Sequence, residues 1–283
     1  MNTKKFTKRK IKKTITVIGL ILFGIVQLFP LYWLLMFSLK SNGEILMAKN
    51  ILGWPEVFQW DHYATAVLRS EIPTYLLNSV IYTGATVLVT GILTAMAAYA
   101  ITRMKWKLSG VVFMLFVIGI MIPPHAALYP LFEVLKATGL ETVPYVGLTV
   151  VYIGFAIPMS LMILSSFFKA IPREMEEAAF IDGCGIFASF WRIMLPLIMP
   201  ALATVSIFTV MSTWNDLLLV QSFVDHSSLK TITVGVLDFT GRYSTKLGLI
   251  GAGLVTATVP VIIIYMFFSE QIQKSLLEGA IKG

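Results

Sequence analysis

Long runs of apolar residues alternate with short polar segments along almost the whole chain. A helix that crosses the apolar core of a bilayer needs about 20 mostly apolar residues. Six segments meet this length: residues 14–37, 76–101, 108–130, 143–168, 195–219 and 247–268. The pattern therefore predicts an all-α integral membrane protein with six transmembrane helices.

The first apolar run follows a basic segment, as in a secretory signal peptide. It is longer than the apolar part of a signal peptide, and Leu39-Lys40-Ser41 follows it instead of a small-residue cleavage site. We therefore expect a retained first span. Within the other spans, Gly91 with Ala95, and Gly248 with Ala252, repeat small residues four positions apart, which predicts close helix packing.

Composition supports a membrane protein: 57% of the residues are hydrophobic and 13% are charged. Soluble domains average about 25% charged residues. The single cysteine, Cys184, excludes an internal disulfide framework. The net charge of +7 could indicate a nucleic-acid partner, but seven of the 22 basic residues lie within the first 13 positions. Such a cluster before a span is typical of contact with anionic lipid, so we expect membrane lipid and no nucleic acid as a partner.

The basic residues also predict the orientation. With the N-terminus inside the cell, the inner segments hold 15 Lys and Arg residues and the outer segments hold seven. The positive-inside rule then puts both termini in the cytoplasm of a multi-pass cell-membrane protein. The predicted division is a basic N-terminus (1–13), a first span with its outer loop (14–75), a five-span core (76–268) and a C-terminal tail (269–283).

Catalytic motifs are missing from the sequence. It has no phosphate-binding Gly-x-x-x-x-Gly-Lys-Ser/Thr loop, no His-Glu-x-x-His, no paired-cysteine metal spacing and no Gly-x-Ser-x-Gly. We therefore expect neither an enzyme nor a bound cofactor or metal. The spans hold almost no acidic or basic residues, which argues against an ion-coupled secondary transporter. A poreless scaffold would need neither broken helices nor a docking loop.

The loop at residues 172–196 is the main polar feature between the later spans, with four of the chain's 15 acidic residues. Pro172 suits a first helical turn, and Glu174, Glu176 and Glu177 would lie at the positive end of a short helix. Gly183 and Gly185 would end this helix and permit a left-handed turn.

A second short helix follows in the same loop. Its large apolar residues recur at helical spacing and predict one apolar face: Phe187, Phe190, Trp191 and Met194. The pair Leu195-Pro196 would then break the helix where the fifth span begins. The loop could be a surface-lying amphipathic connector, or a helical hairpin that inserts into a partner subunit. Its acidity points away from the negatively charged inner leaflet.

The spacing Glu177-Ala178-Ala179, Gly183, Ile193, Leu195-Pro196 resembles the EAA motif of bacterial ABC importer permeases. Ile181-Asp182-Gly183 and Trp214-Asn215-Asp216 narrow the resemblance to the carbohydrate-uptake class of the MalG type. The similarity extends over almost the whole chain. The main departure is Cys184, where the family usually has Ala.

The resemblance implies one half of a type I ABC importer, with six spans and a coupling loop that docks on an ATPase. It implies a second homologous permease, two ATPase subunits that bind the ATP, an extracellular solute-binding protein and a sugar substrate; a non-sugar solute is the alternative. The coupling residues would be Glu176, Glu177, Ala178, Ala179, Asp182, Gly183, Ile193, Leu195 and Pro196. The tail residues Lys282 and Gly283 would reach towards an ATPase.

Several polar and aromatic residues are candidates for the substrate path. Aromatic rings cover the C–H faces of sugars, and amides and carboxylates bind their hydroxyls. The candidates are Trp214, Asn215, Asp216, His125, Tyr129 and Asn78. Pro123-Pro124 should also break the third span beside a cavity. Each candidate has a structural alternative: Asn215 and Asp216 could cap or cross-link helices, and His125 could bind the carbonyls that the break frees.

Overall fold

The structure is a computed structural model of the chain, and it describes residues 3–47, 50–104, 106–240 and 246–280. Helices make up the architecture of these ranges. They are α1 (Thr3–Ser38), α2 (Asn42–Leu46), α3 (Asp61–Leu68), α4 (Ile72–Arg103), α5 (Ser109–Gly119), α6 (Pro124–Ala137), α7 (Pro144–Ala170), α8 (Glu174–Ile181), α9 (Ile186–Leu197), α10 (Met199–Trp214), α11 (Leu218–Phe223), α12 (Ile232–Gly235) and α13 (Leu247–Ala280).

Four of the described helices are long and apolar enough to cross a membrane without a break: α1, α4, α7 and α13. Two further pairs qualify only when their members are taken together, and both pairs are sharply bent. The angle is 106° between α5 and α6, and 73° between α9 and α10. By length and composition, the described chain therefore has four helices that could cross a membrane, or up to six if each bent pair is one span.

The bend between α5 and α6 follows from the two prolines that the sequence pointed to. Pro123 is extended, with φ −71° and ψ 129°, and Pro124 begins α6. A proline ring disfavours helical conformation in the residue before it, so Ile122 and Pro123 cannot continue α5. The predicted break of the third span is confirmed, and α5 itself is only 11 residues long.

The bend between α9 and α10 is at Ile198, two residues after the predicted break at Leu195-Pro196. Pro196 lies inside α9, where residues Phe190–Met194 form a π-helical turn. Because the proline ring would clash with the carbonyl four residues earlier, the helix opens, and the Leu195 N–H bonds the Phe190 carbonyl five residues back. The proline therefore widens the helix instead of ending it.

The described chain divides into two compact units. One comprises Met1–Ser70 and Val236–Thr256, and the other Glu71–Gly235 and Ala257–Gly283. In the first unit, the start of α13 packs closely on the end of α1. A Cβ on Gly251 would lie 2.8 Å from the Ser38 Cα, so only glycine allows this approach.

The second unit is built around the pair α4 and α7, with α10 packed against both. Two buried clusters fill it. One joins α4, α7, α9 and α10 through Ala95, Ala98, Tyr99, Leu161, Leu164, Phe168, Phe190, Met194, Ile198, Ala201 and Val205. The other joins α4, α6, α7, α11 and α12 through Tyr82, Leu135, Leu148, Val151, Tyr152, Leu219, Val220, Val224 and Val234. The first cluster lies directly under the 172–196 loop.

Candidate functional site

The loop between α7 and α10 folds as two short helices, α8 and α9, as the sequence predicts. The first turn of α8 carries Glu174, Glu176 and Glu177. Negative side chains are stabilised there because unpaired backbone N–H groups and the helix dipole make this end positive. Pro172 precedes the helix by two residues instead of occupying its first turn.

Gly183 ends α8 in a left-handed conformation, with φ +83°. The Gly183 N–H bonds the Phe180 carbonyl at 3.1 Å, and the Cys184 N–H bonds the Ala179 carbonyl at 2.9 Å. This pair of bonds is a Schellman motif, which requires a residue that tolerates positive φ. The prediction for Gly183 is confirmed. That for Gly185 is wrong, because φ −75° and ψ 170° leave it extended at the start of α9.

The motif residues of α8 lie on two different faces of the helix. Glu176 and Ala179 are buried against the bundle, at 8% and 3% exposure. Glu177, Ala178 and Asp182 are exposed on the opposite side. The sequence grouped all of them as one docking set. In the structure, only the second group is open to a partner.

Glu176 is buried because it has a charged partner. Its Oε2 lies 3.2 Å from Nε of Arg103, the last residue of α4. The same guanidinium donates through Nη2 to the Ile171 carbonyl at 2.6 Å. Both contacts connect the end of α4 to the start of the loop.

The predicted apolar face of the second helix is only partly buried. Phe190 and Met194 are buried, at 4% and 0% exposure, whereas Phe187 and Trp191 are 75% and 48% exposed. The rings of Phe190 and Trp191 are in contact, at 5.2 Å between centroids, so the buried and exposed residues are neighbours that spacing alone could not separate.

The later motif residues contribute to packing. Ile193 and Leu195 pack, partly buried, against the cluster under the loop. Pro196 is exposed.

The Trp214-Asn215-Asp216 triplet lies where α10 ends. Trp214 is buried, and its Nε1 donates to the Ala257 carbonyl at 3.1 Å. Asp216 Oδ2 accepts from the Tyr152 hydroxyl at 2.9 Å and from the Leu219 N–H at 3.1 Å, so it caps α11. The exposed Asn215 donates to the Met211 carbonyl at 2.8 Å. Asn215 and Asp216 therefore bond to helix ends and neighbouring helices, which is the structural alternative that the sequence left open for them.

Asn78 is also fully engaged. It is 1% exposed, donates to the Ser228 and Lys230 carbonyls at 2.8 Å each, and accepts from the Tyr145 hydroxyl at 2.5 Å. It anchors the segment before α12 to α4. A solute cannot reach it in this structure, contrary to the expectation of a substrate contact.

His125 and Tyr129 are exposed on α6, and Tyr129 is 74% exposed. Neither lines the cavity beside the break between α5 and α6. That cavity has a volume of about 290 Å³, and Asp216 and Tyr152 belong to its lining. The six path candidates are therefore not brought together at one site.

A second cavity of about 220 Å³ lies along α7 and α10 and shares four lining residues with the first. Together they form a groove, which we call the α7–α10 groove. Its polar lining consists of Tyr152, Ser160, Thr209, Ser212, Thr213 and Asp216. All but Asp216 were missed from the sequence, although Thr209, Ser212 and Thr213 recur at helical spacing on α10 and Asp216 follows three residues later, just beyond its end.

Lys282 and Gly283 lie outside the described residues. Within the described ranges, no group of three or more His, Cys, Asp or Glu side chains could hold a metal ion.

Comparison with known proteins shows which family the chain is similar to. Residues 87–277 match the family model "Binding-protein-dependent transport system inner membrane component". The chain is 33% identical over 266 residues to the diacetylchitobiose uptake system permease protein NgcG of Streptomyces coelicolor, covering 93% of this chain and 87% of NgcG. It is 30% identical over 271 residues to the probable starch degradation products transport system permease protein AmyC of Thermoanaerobacterium thermosulfurigenes, covering 96% and 97%.

A solved structure has the same fold. It is a bacterial ABC transporter involved in the import of the acidic polysaccharide alginate. The TM-score is 0.79 at 19% sequence identity, and the match covers 94% of this chain and 98% of that chain.

Proposed function

Because the chain belongs to the family of binding-protein-dependent transport system inner membrane components, we propose that it forms half of the translocation pore of an ATP-driven sugar importer. It is a multi-pass protein of the cell membrane and a transporter permease subunit, not an enzyme. ATP would be bound and hydrolysed by separate ATPase subunits.

The observation that carries this proposal is the shape of α8. It is a short helix with a rigid Schellman end, an exposed acidic and small-residue face, and a buried face joined to the bundle by an ion pair. An ATPase would dock on Glu177, Ala178 and Asp182. Ile193 and Leu195 would hold the second half of the motif against the bundle. ATP-driven closure of the ATPase dimer would then shift the bundle between two states.

The α7–α10 groove would supply this subunit's side of the pore. Hydroxyl and carboxyl groups on an otherwise apolar surface suit a solute rich in hydroxyls, because they can donate and accept hydrogen bonds. Asp216 is the one candidate from the sequence that lines this groove. We place His125 and Tyr129, which lie on α6, outside the path, together with the buried Trp214 and Asn78.

The proposal that the solute is a sugar is based on the relatives. NgcG and AmyC are described as permeases for diacetylchitobiose and for starch degradation products. An oligosaccharide is therefore the proposed solute, and a non-sugar solute of a related importer is the alternative.

The rest of the proposed assembly follows from the family. It has a second homologous permease, two ATPases and an extracellular solute-binding protein. The bent pairs α5–α6 and α9–α10 would each count as one span, giving six spans with both termini in the cytoplasm. The domain division at residues 1–13, 14–75, 76–268 and 269–283 is part of the same proposal.

Reconstitution tests the function directly. The chain is placed in liposomes with the proposed partner permease and ATPases, and uptake of a labelled oligosaccharide panel is measured with and without the proposed solute-binding protein. We expect uptake that needs both ATP and the binding protein. Uptake driven by an ion gradient without ATP would overturn the proposal in favour of a secondary transporter. If the binding protein binds no sugar, only the proposed cargo would be wrong, and the non-sugar alternative would take its place.

A further inference from the structure

The end of α4 meets the start of the coupling loop at a buried charged junction. Arg103 contacts both the Glu176 carboxylate and the Ile171 carbonyl, so one guanidinium holds two points on either side of Pro172. The Nη2 contact is a hydrogen bond, and the Nε contact is an ion pair without hydrogen-bond geometry. A planar guanidinium can hold both contacts at once. A single span residue therefore fixes both the entry to the loop and the first turn of α8.

Burial makes this junction stiff. The side chains of Arg103 and Glu176 are 5% and 10% exposed. A buried charge whose partner moves away remains unsolvated, which is costly, so the pair resists separation. The positions favour the charges as well, because Arg103 is at the negative end of α4 and Glu176 at the positive end of α8.

Tyr99, one turn before Arg103, extends the junction to α9. Its hydroxyl faces the side chains of Glu176 and Ser189. Its ring packs on Phe168 at 5.8 Å and on Phe190 at 5.3 Å between ring centroids. Tyr99 therefore joins α4 to α7, α8 and α9 beside the buried carboxylate.

We propose that the Arg103–Glu176 pair is an internal latch that transmits motion of α8 to α4. This inference rests on the proposed function for its consequence, but the latch itself is a property of this chain. Arg103 and Glu176 are positioning residues: they contact neither solute nor nucleotide, and they keep the exposed face of α8 at a fixed place on the bundle. Glu177, the next residue, faces outwards, so the adjacent glutamates have different roles.

The single cysteine provides a readout that does not depend on transport. Cys184 follows Gly183 directly, is partly exposed, and its N–H bonds the Ala179 carbonyl of α8. A maleimide-polyethylene glycol reagent added to permeabilised membranes containing the full chain modifies this thiol alone in this chain, and a gel shift gives the rate. Loosening of α8 should raise that rate, because local opening exposes the thiol.

The variants are Arg103→Gln, Glu176→Gln and the double change, with Arg173→Gln as the matched control. Arg173 is exposed in the same loop. We expect the Cys184 labelling rate to rise by about threefold or more in each latch variant and to stay unchanged in Arg173→Gln. The double variant should label no faster than the faster single variant, because both changes remove one interaction.

Unchanged labelling in the single variants would overturn the latch, and so would independent effects that multiply in the double variant. If Arg103→Gln is not recovered in membranes, Arg103→Lys replaces it. Lysine keeps the charge but presents a single ammonium in place of the fork, so we expect faster labelling than in the original chain. Labelling at the original rate would again overturn the proposal.

The reconstituted importer then separates a latch from a merely structural role. Solute taken up and ATP hydrolysed are measured together, and we expect their ratio to fall by about tenfold in Arg103→Gln, since α8 still docks but moves α4 less. A proportional fall of both quantities would indicate general destabilisation and would overturn the latch. If the original chain itself shows no ATP-driven uptake, the proposed function fails while the labelling result still decides whether the latch exists.

Discussion

Glu176 and Glu177 show how far the chemistry of adjacent identical residues can differ. One is paired with Arg103 under the loop and the other is exposed. Successive helical residues point about 100° apart, so one of two neighbours can face the bundle while the other faces a partner. Both carry the same charge, and both lie in the first turn of α8. The neighbouring α4 decides which of them is buried.

Gly183 and Gly185 are a second pair of identical residues with different roles, because only Gly183 has a left-handed conformation. This difference gives a prediction at the residue scale. Gly183→Ala should lower the initial uptake rate about fivefold or more, because a non-glycine residue at φ +83° costs about 1 to 2 kcal/mol and loosens the end of α8. Gly185→Ala is the control, since any residue adopts its extended conformation. Equal losses in both variants, or none, would contradict the assignment of the Schellman end to Gly183.

At the scale of elements, prolines have three different effects in this chain. Pro123 and Pro124 separate α5 from α6 and open the cavity beside the break. Pro196 widens α9 into a π turn without ending it. Pro158 stays inside α7. All three positions are visible in the sequence, but the outcome depends on whether neighbouring helices supply packing for the helix beyond the proline.

Helix packing in the first unit gives an element-scale prediction. Gly251→Ala should lower the free energy of unfolding by about 1 to 3 kcal/mol, because the new methyl group would meet the Ser38 backbone and the Phe37 ring. Gly24→Ala on α1 is the control, since a Cβ there has nothing within 4 Å and reports only the gain in helix propensity. Thermal unfolding of the purified full chain measures both.

A gain in stability for Gly251→Ala equal to that for Gly24→Ala would show that α13 does not approach α1 closely. The small-residue pattern of Gly248 and Ala252 predicted close packing of this helix, and both residues are buried. Gly251 itself lies outside that four-residue spacing. The pattern therefore identified Gly248, where a Cβ would collide with the His62 ring of α3, but not Gly251, which the end of α1 approaches.

On the scale of the whole molecule, the 172–196 loop and the α7–α10 groove lie at different places on one bundle. The loop packs on the cluster between α4, α7, α9 and α10, and the α7–α10 groove runs along two of the same helices. A shift of α8 can therefore reach the groove through packed side chains. This is the arrangement that an importer driven by an external ATPase needs.

Glu177→Lys tests the coupling at this scale. We expect uptake to fall by more than about tenfold while the amount of chain in the membrane stays the same, because a positive charge replaces a negative one on the docking face. Glu174→Lys makes the same change at an exposed position outside the motif and should have a smaller effect. Gly183→Asp should act like Glu177→Lys.

Normal uptake in both Glu177→Lys and Gly183→Asp would show that this loop does not couple the chain to an ATPase. A loss as large in Glu174→Lys would attribute the effect to total loop charge instead of to the motif.

The sequence by itself determined the class of the protein, its apolar segments, the break at Pro123-Pro124 and the short helix that ends at Gly183. These features depend on local composition, on fixed backbone dihedrals and on motif spacing, all of which are written in consecutive residues. It also led to the family, since the spacing from Glu177 to Pro196 is local.

Only the tertiary structure decided which side of each helix is used. It paired Glu176 with Arg103, 73 positions earlier in the chain. It buried Asn78 and Trp214 as anchors, and it brought Ser160 and Ser212 to one groove. Burial and pairing depend on which distant helices meet, and a membrane-spanning helix that is apolar on most sides gives little periodic signal of its orientation. Packing supplies that information, because polar groups without water must find a partner inside the bundle.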